Sequence, residues 1–341
     1  LMVAFHFPPL AGSSGIQRTL RFVQHLPALG WAPLVLSIDA RAYERTSRDL
    51  DAEVPSSVPV RRAMGFDAAR QLAWRGRYAA WTARPDRWTS WRFDGVRQGL
   101  RLIREFKPHA IWSTYPIATA HVIGAALQQR TGLPWIADFR DPMAQDSYPA
   151  DPTTWRQYRA IETRAMHQGS MSLFTTPSAL RLYRERYPEA ADRMALLENG
   201  YDEESFAQAD TAAVGAGPLQ PGCLTLLHSG IVYASERDPT QLFAAVAQLH
   251  AQGIVSPGRF KLRFRAAVHE DLLQGLARQF KVEAYLEMCP PVGYRDALQE
   301  MQRSDALLVL QAANCNAQIP AKIYEYLRAR RPIVCLSHPD G

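Results

Sequence analysis

No run of 18 or more apolar residues occurs in the chain, so no membrane-spanning helix is read from it. Cysteines are few: Cys223, Cys289, Cys315 and Cys335 lie far apart in the second half, inside or beside apolar runs, and form no CxxC. Thiols so placed argue against a disulfide framework or a zinc site and fit a reducing, cytoplasmic compartment. No secretory leader is expected from the opening residues as they stand. There is no GxGxxG and no Gly-Lys-Ser/Thr, which excludes the dinucleotide fingerprint and the P-loop. Histidines number nine and do not cluster, and no DxD lies between an apolar strand and a loop, so no metal site is expected. Solenoid-period repeats and low-complexity tracts are also missing.

The 341 residues that are present are 47% hydrophobic and 21% charged, enough for two domains with real cores and too apolar for large-scale disorder. The formal net charge is +6 and the isoelectric point about 9.2. Mild basicity fits a nucleic acid, an anionic lipid or a phosphorylated substrate, and equally a solvated arginine-rich surface.

Strands and helices alternate along the chain. Strands are predicted at 1–7, 33–38, 109–113, 134–138, 171–176 and 193–197, with helices over 16–26, 93–103, 117–130, 155–167 and 178–187 between them. Between Arg41 and Trp91 the periodicity weakens and the stretch from Arg61 to Trp91 is rich in Arg and Trp; it reads as a membrane-surface or acceptor-binding face, or as helices packed on the first sheet. Residues 211–222, rich in Ala, Gly and Pro, read as a linker between a domain at 1–210 and another at 223–341. In the second domain strands are expected at 223–229, 260–266, 284–288, 305–310 and 332–336, alternating with helices at 239–251, 270–280, 294–303 and 321–330. The fold class is therefore α/β: two Rossmann-like domains with parallel sheets, whose ligands bind in loops at the carboxyl ends of strands. The chain opens inside one strand and stops just after another, so both ends of the natural protein are expected to extend further.

Five strand-end segments are the candidates for chemistry. After the first strand, Gly12, Ser13, Ser14 and Gly15 precede Ile16-Gln17-Arg18; small residues let backbone amides approach an anion at a helix start. Asp138-Phe139-Arg140-Asp141-Pro142 sets two carboxylates around an arginine, a set that is either exposed, salt-bridged or organised on a polar ligand. Asn199-Gly200-Tyr201-Asp202 reads mainly as a structural turn. His228-Ser229-Gly230, then Glu236-Arg237-Asp238-Pro239, offers a post-strand glycine and an arginine suited to a diphosphate; Arg265 is a weaker candidate. In Asn316-Ala317-Gln318-Ile319-Pro320-Ala321-Lys322-Ile323-Tyr324-Glu325-Tyr326, Pro320 suits a first helical turn and Lys322 and Glu325 share a face. Each segment alone also has a plain structural explanation.

Taken in order, His6-Phe7-Pro8-Pro9 with Gly12 to Gly15 and Arg18, the DFRDP string, the NG-aromatic-Asp step and P-x-K-x-x-E-Y resemble the family 4 retaining glycosyltransferases, bacterial polysaccharide type, which have the GT-B fold. The resemblance runs from His6 to Pro332. It implies a hexose-type sugar moved from a UDP- or GDP-linked donor to an acceptor hydroxyl with retention, the donor being a co-substrate and no cofactor or metal being needed. It implies that Arg237 and Lys322 hold the leaving diphosphate, that Glu325 accepts from the ribose, and that Gly12, Ser13, Ser14, Gly15, Arg18, Gly230, Asn316, Gln318, Ile319 and Pro320 line the donor. Asp138, Arg140 and Asp141 would serve at the acceptor hydroxyl. A saccharide or lipid-linked saccharide is the implied acceptor, with peripheral contact to the inner face of the plasma membrane and no nucleic acid. The sequence departs from the family in four places: Gly-Ser replaces a glycine pair, DFRDP has no histidine, Asp238 and Pro239 follow Arg237 where a second basic residue is often found, and Ala317 stands where a first glutamate is common. The implied donor domain lacks its last helix here. A GT-B nucleotide-sugar epimerase, a basic nucleic-acid-binding protein and a two-domain binding protein are the rival readings.

Overall fold

A computed structural model describes residues 1–13, 15–146, 148–213 and 215–339. They fall into two compact units, Leu1–Glu198 and Asn199–Gly341.

The first unit holds seven strands: β1 (Met2–Val3), β2 (Val35–Ile38), β3 (Val60–Ala63), β4 (Ile111–Thr114), β5 (Trp135–Phe139), β6 (Met171–Phe174) and β7 (Met194–Leu196). They pair in parallel in the order β3-β2-β1-β4-β5-β6-β7. Helices α1 (Gly15–His25), α2 (Ala68–Gln71), α3 (Trp91–Phe106), α4 (Ala118–Thr131), α5 (Pro152–Gln168) and α6 (Pro177–Arg186) accompany them. Strand order reverses between β1 and β4, the switch point beside which open α/β sheets bind ligands. The helix ends follow local chemistry. Asp151 and Thr176 cap α5 and α6 by accepting from Thr154 and Ala179 N–H, each with proline in the first turn, and α4 stops at a left-handed Gly132. The core is aromatic, with Trp91, Trp135, Phe139, Phe174 and Tyr183 fully buried.

The second unit repeats the plan with β8 (Leu224–Ser229), β9 (Phe260–Arg265), β10 (Leu286–Cys289), β11 (Ala306–Leu310) and β12 (Ile333–Leu336), in the order β10-β9-β8-β11-β12. Its helices are α7 (Glu203–Ala213), α8 (Thr240–Ala251), α9 (Glu270–Phe280), α10 (Tyr294–Arg303) and α11 (Lys322–Ala329). The switch point here lies between β8 and β11.

The alternation matches the sequence reading, with differences that have local causes. The first strand is two residues rather than seven: Ala4 N–H still reaches Leu36 O, but Pro8 and Pro9 bring no N–H to a ladder. Strand β3 and helix α7 were not predicted. Helix α7 buries Phe206 and Ala209 against Leu298, Met301 and Tyr326, so it belongs to the second unit. The compact units therefore divide between Glu198 and Asn199, ahead of the 211–222 segment expected as linker. Pro320 stands two residues before α11 rather than in its first turn, with Ala321 as N-cap.

Candidate active site

At the switch point of the first unit, α1 brings Arg18 onto β5. Arg18 is buried and donates from Nε to Asp138 Oδ2 at 3.0 Å and from Nη2 to Oδ1 at 2.8 Å. Asp138 is fully buried, and its Oδ2 also accepts from Thr114 Oγ1 at 2.8 Å. The guanidinium reaches on to the carbonyls of Glu198 at 3.2 Å and Leu197 at 3.0 Å. Arg18 and Asp138, expected on donor and acceptor, are thus seated on each other: a bidentate pair in which each neutralises the other.

Gly15 needs to be glycine. A Cβ there would lie 2.6 Å from Arg140 Nη1 and 2.7 Å from His6 Nδ1. Arg140 Nη1 donates to Gly15 O at 3.2 Å, while its buried Nε has no hydrogen-bond partner among the described residues. Burial holds the Arg140 guanidinium below the usual arginine range, opposed by Asp141 and Asp138. Burial and then Arg140 pull the His6 imidazole down to about 3, so it is neutral. Asp141, half-buried, stands next to this cluster. Gly12 takes a left-handed φ of +78° with open space around it, and Ser13 Oγ accepts from Gly15 N at 3.2 Å. The expectation for Ser14 falls outside the described residues.

In the second unit, the penultimate residue of β8 is the fully buried His228, whose Nδ1 lies 3.0 Å from Leu308 O. A carbonyl only accepts, so Nδ1 carries the proton and Nε2 is left as an acceptor. Lys322 Nζ, from the first turn of α11, lies 2.9 Å from that Nε2 and donates to it. Burial, Lys322 and Arg237 keep His228 well below its ordinary range, which makes it neutral. Burial and then Arg237 push Lys322 well down as well, with Glu325 opposing. Among the described residues no carboxylate oxygen lies within 4.0 Å of Lys322 or Arg237. Arg237 donates to Ile231 O and stands over the Tyr233 ring, 5.2 Å from its centroid. Gly230, at φ +116°, keeps its α-carbon open toward Lys322, whose Nζ would be 3.5 Å from a Cβ.

The loops after β8 and β11 are tied together: Ala312 N donates to Glu236 O at 2.8 Å and Asn314 Nδ2 to Ser235 O at 3.0 Å. Gln311 Nε2 folds the second loop by donating to Cys315 O at 2.7 Å and Gln318 O at 3.0 Å. Asn316, Gln318, Ile319 and Pro320 are half-buried in that loop, and the Oδ1 of Asn316 is buried without a hydrogen-bond partner among the described residues. Glu325 Oε1 accepts from Tyr294 Oη at 2.9 Å, and Tyr326 Oη accepts from Ser229 N at 3.0 Å. The structure thus gathers Gly230, Arg237 and Lys322. Arg265 is taken up by a bidentate pair with Glu300. Sequence reasoning passed over His228 as a partner of Lys322, and over Tyr294 and Tyr326. The signal at hand was the histidine near the carboxyl end of an apolar strand.

A glycosyl transferase 4-like domain model matches residues 14–200. No curated protein sequence matches. Among solved structures the chain is similar to a sucrose-phosphate synthase from Thermosynechococcus elongatus, at 13% identity and a TM-score of 0.67, over 98% of this chain and 80% of that one. It is similar to an α,α-trehalose-6-phosphate synthase from Burkholderia multivorans (14% identity, TM-score 0.63, 99% and 83% covered). A third is the HepE protein of Anabaena solved with UDP, at 14% identity and a TM-score of 0.60, over 98% and 79%. These likenesses carry the fold class, GT-B with two Rossmann-like domains. The family model spans more than half of the 341 residues, and the chain therefore belongs to the glycosyl transferase 4-like family and is a glycosyltransferase.

Proposed function

We propose that this glycosyltransferase moves a hexose-type sugar from a UDP- or GDP-linked donor to the hydroxyl of a saccharide or lipid-linked saccharide, with retention, in cell-surface polysaccharide or glycolipid synthesis. The observation that carries the reading is the pair of basic side chains in the second unit, neither of which has an ion-pair partner within 4.0 Å among the described residues, with Glu325 acting on Lys322 only from farther off. Arg237 and Lys322 repel one another, Lys322 is desolvated, and neutral His228 orients its ammonium without cancelling the charge. A diphosphate relieves that repulsion, and more so as negative charge grows on it during bond cleavage, the differential stabilisation that accelerates group transfer. These side chains do the work a metal would do, and no resident cofactor is needed.

Glu325, steadied by Tyr294, accepts from the ribose hydroxyls, and Asn316 with the backbone around Gln318, Ile319 and Pro320 meets the sugar. Gly230 admits the phosphates. In the first unit Gly12, Ser13 and Gly15 offer backbone groups, while Arg140 and Asp141 orient the acceptor. Arg18 and Asp138 hold the frame on which these loops stand. Motif order along the chain supports retention and the polysaccharide setting.

Thermal melts with UDP, GDP and ADP, in wild type and Glu325→Ala, test the reading. One nucleotide at a hundred times its Kd stabilises the wild type by about 2.7 kcal/mol, and Glu325→Ala loses most of that gain. If none of the three shifts the melt, or the variant responds like the wild type, the donor assignment is rejected.

A further inference from the structure

The stretch between β3 and α3 serves the fold with only one of its ends. Near α3 it is built in: Trp91 is fully buried, Trp88 donates from Nε1 to Ala42 O at 3.1 Å, and Asp86 accepts from Thr119 N at 2.7 Å at the start of α4. Asp67 is buried too and takes Arg87. Ahead of it, every residue from Trp74 to Trp81 is exposed. Trp74 is 78% exposed and Trp81 76%, and Leu72 and Tyr78 are exposed with them.

This surface is shaped by a turn. Trp74 N donates to Arg77 O at 2.7 Å and Arg77 N to Trp74 O at 3.0 Å. The two residues between, Arg75 at φ +50° and Gly76 at φ +75°, are both left-handed, as a tight type I′ turn requires. The turn carries Trp74, Arg75 and Arg77 on one exposed tip, and neither Arg75 nor Arg77 has a carboxylate partner among the described residues. The carboxylates of residues 64–93, Asp67 and Asp86, are both engaged inside the fold.

We propose that residues 72–81 dock the chain on an anionic lipid surface, with Trp74 and Trp81 at the level of the head groups and Arg75 and Arg77 on the lipid phosphates. Indole rings favour that interface, and basic groups beside it are drawn by the surface potential. Single-stranded nucleic acid is also held by aromatic and basic groups, but in grooves that stack bases. Here the rings stand on an exposed turn together with Leu72, Ala79 and Ala80, side chains that contribute to apolar insertion and not to base or phosphate contacts. The inference deepens the proposed function by placing the chain where a lipid-linked acceptor resides. It involves no donor site, so its failure and that of the nucleotide reading are measured separately.

The experiment is co-sedimentation of the full chain, without nucleotide, with vesicles of phosphatidylcholine alone and of phosphatidylcholine with phosphatidylglycerol. Tryptophan quenching by brominated acyl chains is read in parallel. Binding is expected to the anionic vesicles only and to weaken with salt. Replacing Arg75 and Arg77 by alanine should lower partitioning about fivefold per arginine, and Trp74→Ala with Trp81→Ala should remove the brominated-lipid quenching. All four side chains are exposed, so melting temperatures should stay at the wild-type value. Equal binding to both vesicle types, no binding, or undiminished binding by the fourfold variant overturns the proposal. So does binding of single-stranded RNA through these residues with vesicles left untouched.

Discussion

Each unit places an arginine at its switch point, and the two are used in opposite ways. Arg18 meets a buried carboxylate and two main-chain carbonyls, so its charge is spent inside the protein. Arg237 shares its site with a second cation, Lys322, whose side-chain partner is a neutral imidazole. The lesson is that a basic residue in a strand-end loop is directed at a ligand when its surroundings leave charge over, and at the fold when they do not.

Changing Arg18 breaks the comparison hardest. Arg18→Ala leaves Asp138 buried without its counter-charge, and should destabilise the first unit by about 3–5 kcal/mol in urea unfolding. The double variant Arg18→Met/Asp138→Leu should recover most of that loss, since the pair is a mutual neutralisation. Lys322→Met does the reverse: turnover should fall by about 10²–10³-fold, while melting temperature holds or rises because a desolvated cation has gone. A drop in stability like that of Arg18→Ala would erase the contrast.

Acid sharpens it further. His6 and His121 are held neutral by burial, His121 at about 4 and His6 at about 3, both below the unfolded value near 6.5. The unfolded chain therefore binds more protons, and stability is full above pH 6.5 and lost as pH falls toward 4. His121 alone accounts for on the order of 3 kcal/mol. Unfolding free energies measured from pH 7.5 to 4 should show that slope; a flat profile contradicts the burial of both rings. The smallest expected effect is Tyr294→Phe, which frees Glu325 of one hydrogen bond and should weaken nucleotide binding by about 1 kcal/mol, or some fivefold, in calorimetry.

Much of this was legible in the chain before its structure. Strand β11 is an apolar run, almost wholly buried, and helices α9 and α10 carry strong amphipathic periodicity, so their bounds follow from pattern. Strand β3 was not legible, because VRRA at a sheet edge puts two arginines where pattern asks for apolar residues. Helix α7 escaped because its buried side rests on Phe206 and Ala209 amid alanines and acids. At the site, glycine and charged residues at strand ends were visible. Their pairing was not: Arg18 and Asp138 are 120 residues apart, and nothing local says which opposite charge will meet which. The same holds for Lys322 and His228, since a histidine in an apolar strand reads as core.

Arg18 has a mechanical consequence as well. The carbonyls it grips, Leu197 and Glu198, are the last two residues of the first unit, and the same guanidinium is bolted to β5 through Asp138. Seen as a linkage, the chain leaves that unit through a clamped bearing rather than a slack tether. The backbone that ends the first unit is thereby anchored to the helix that follows the glycine-rich loop, up to the last residue before Asn199.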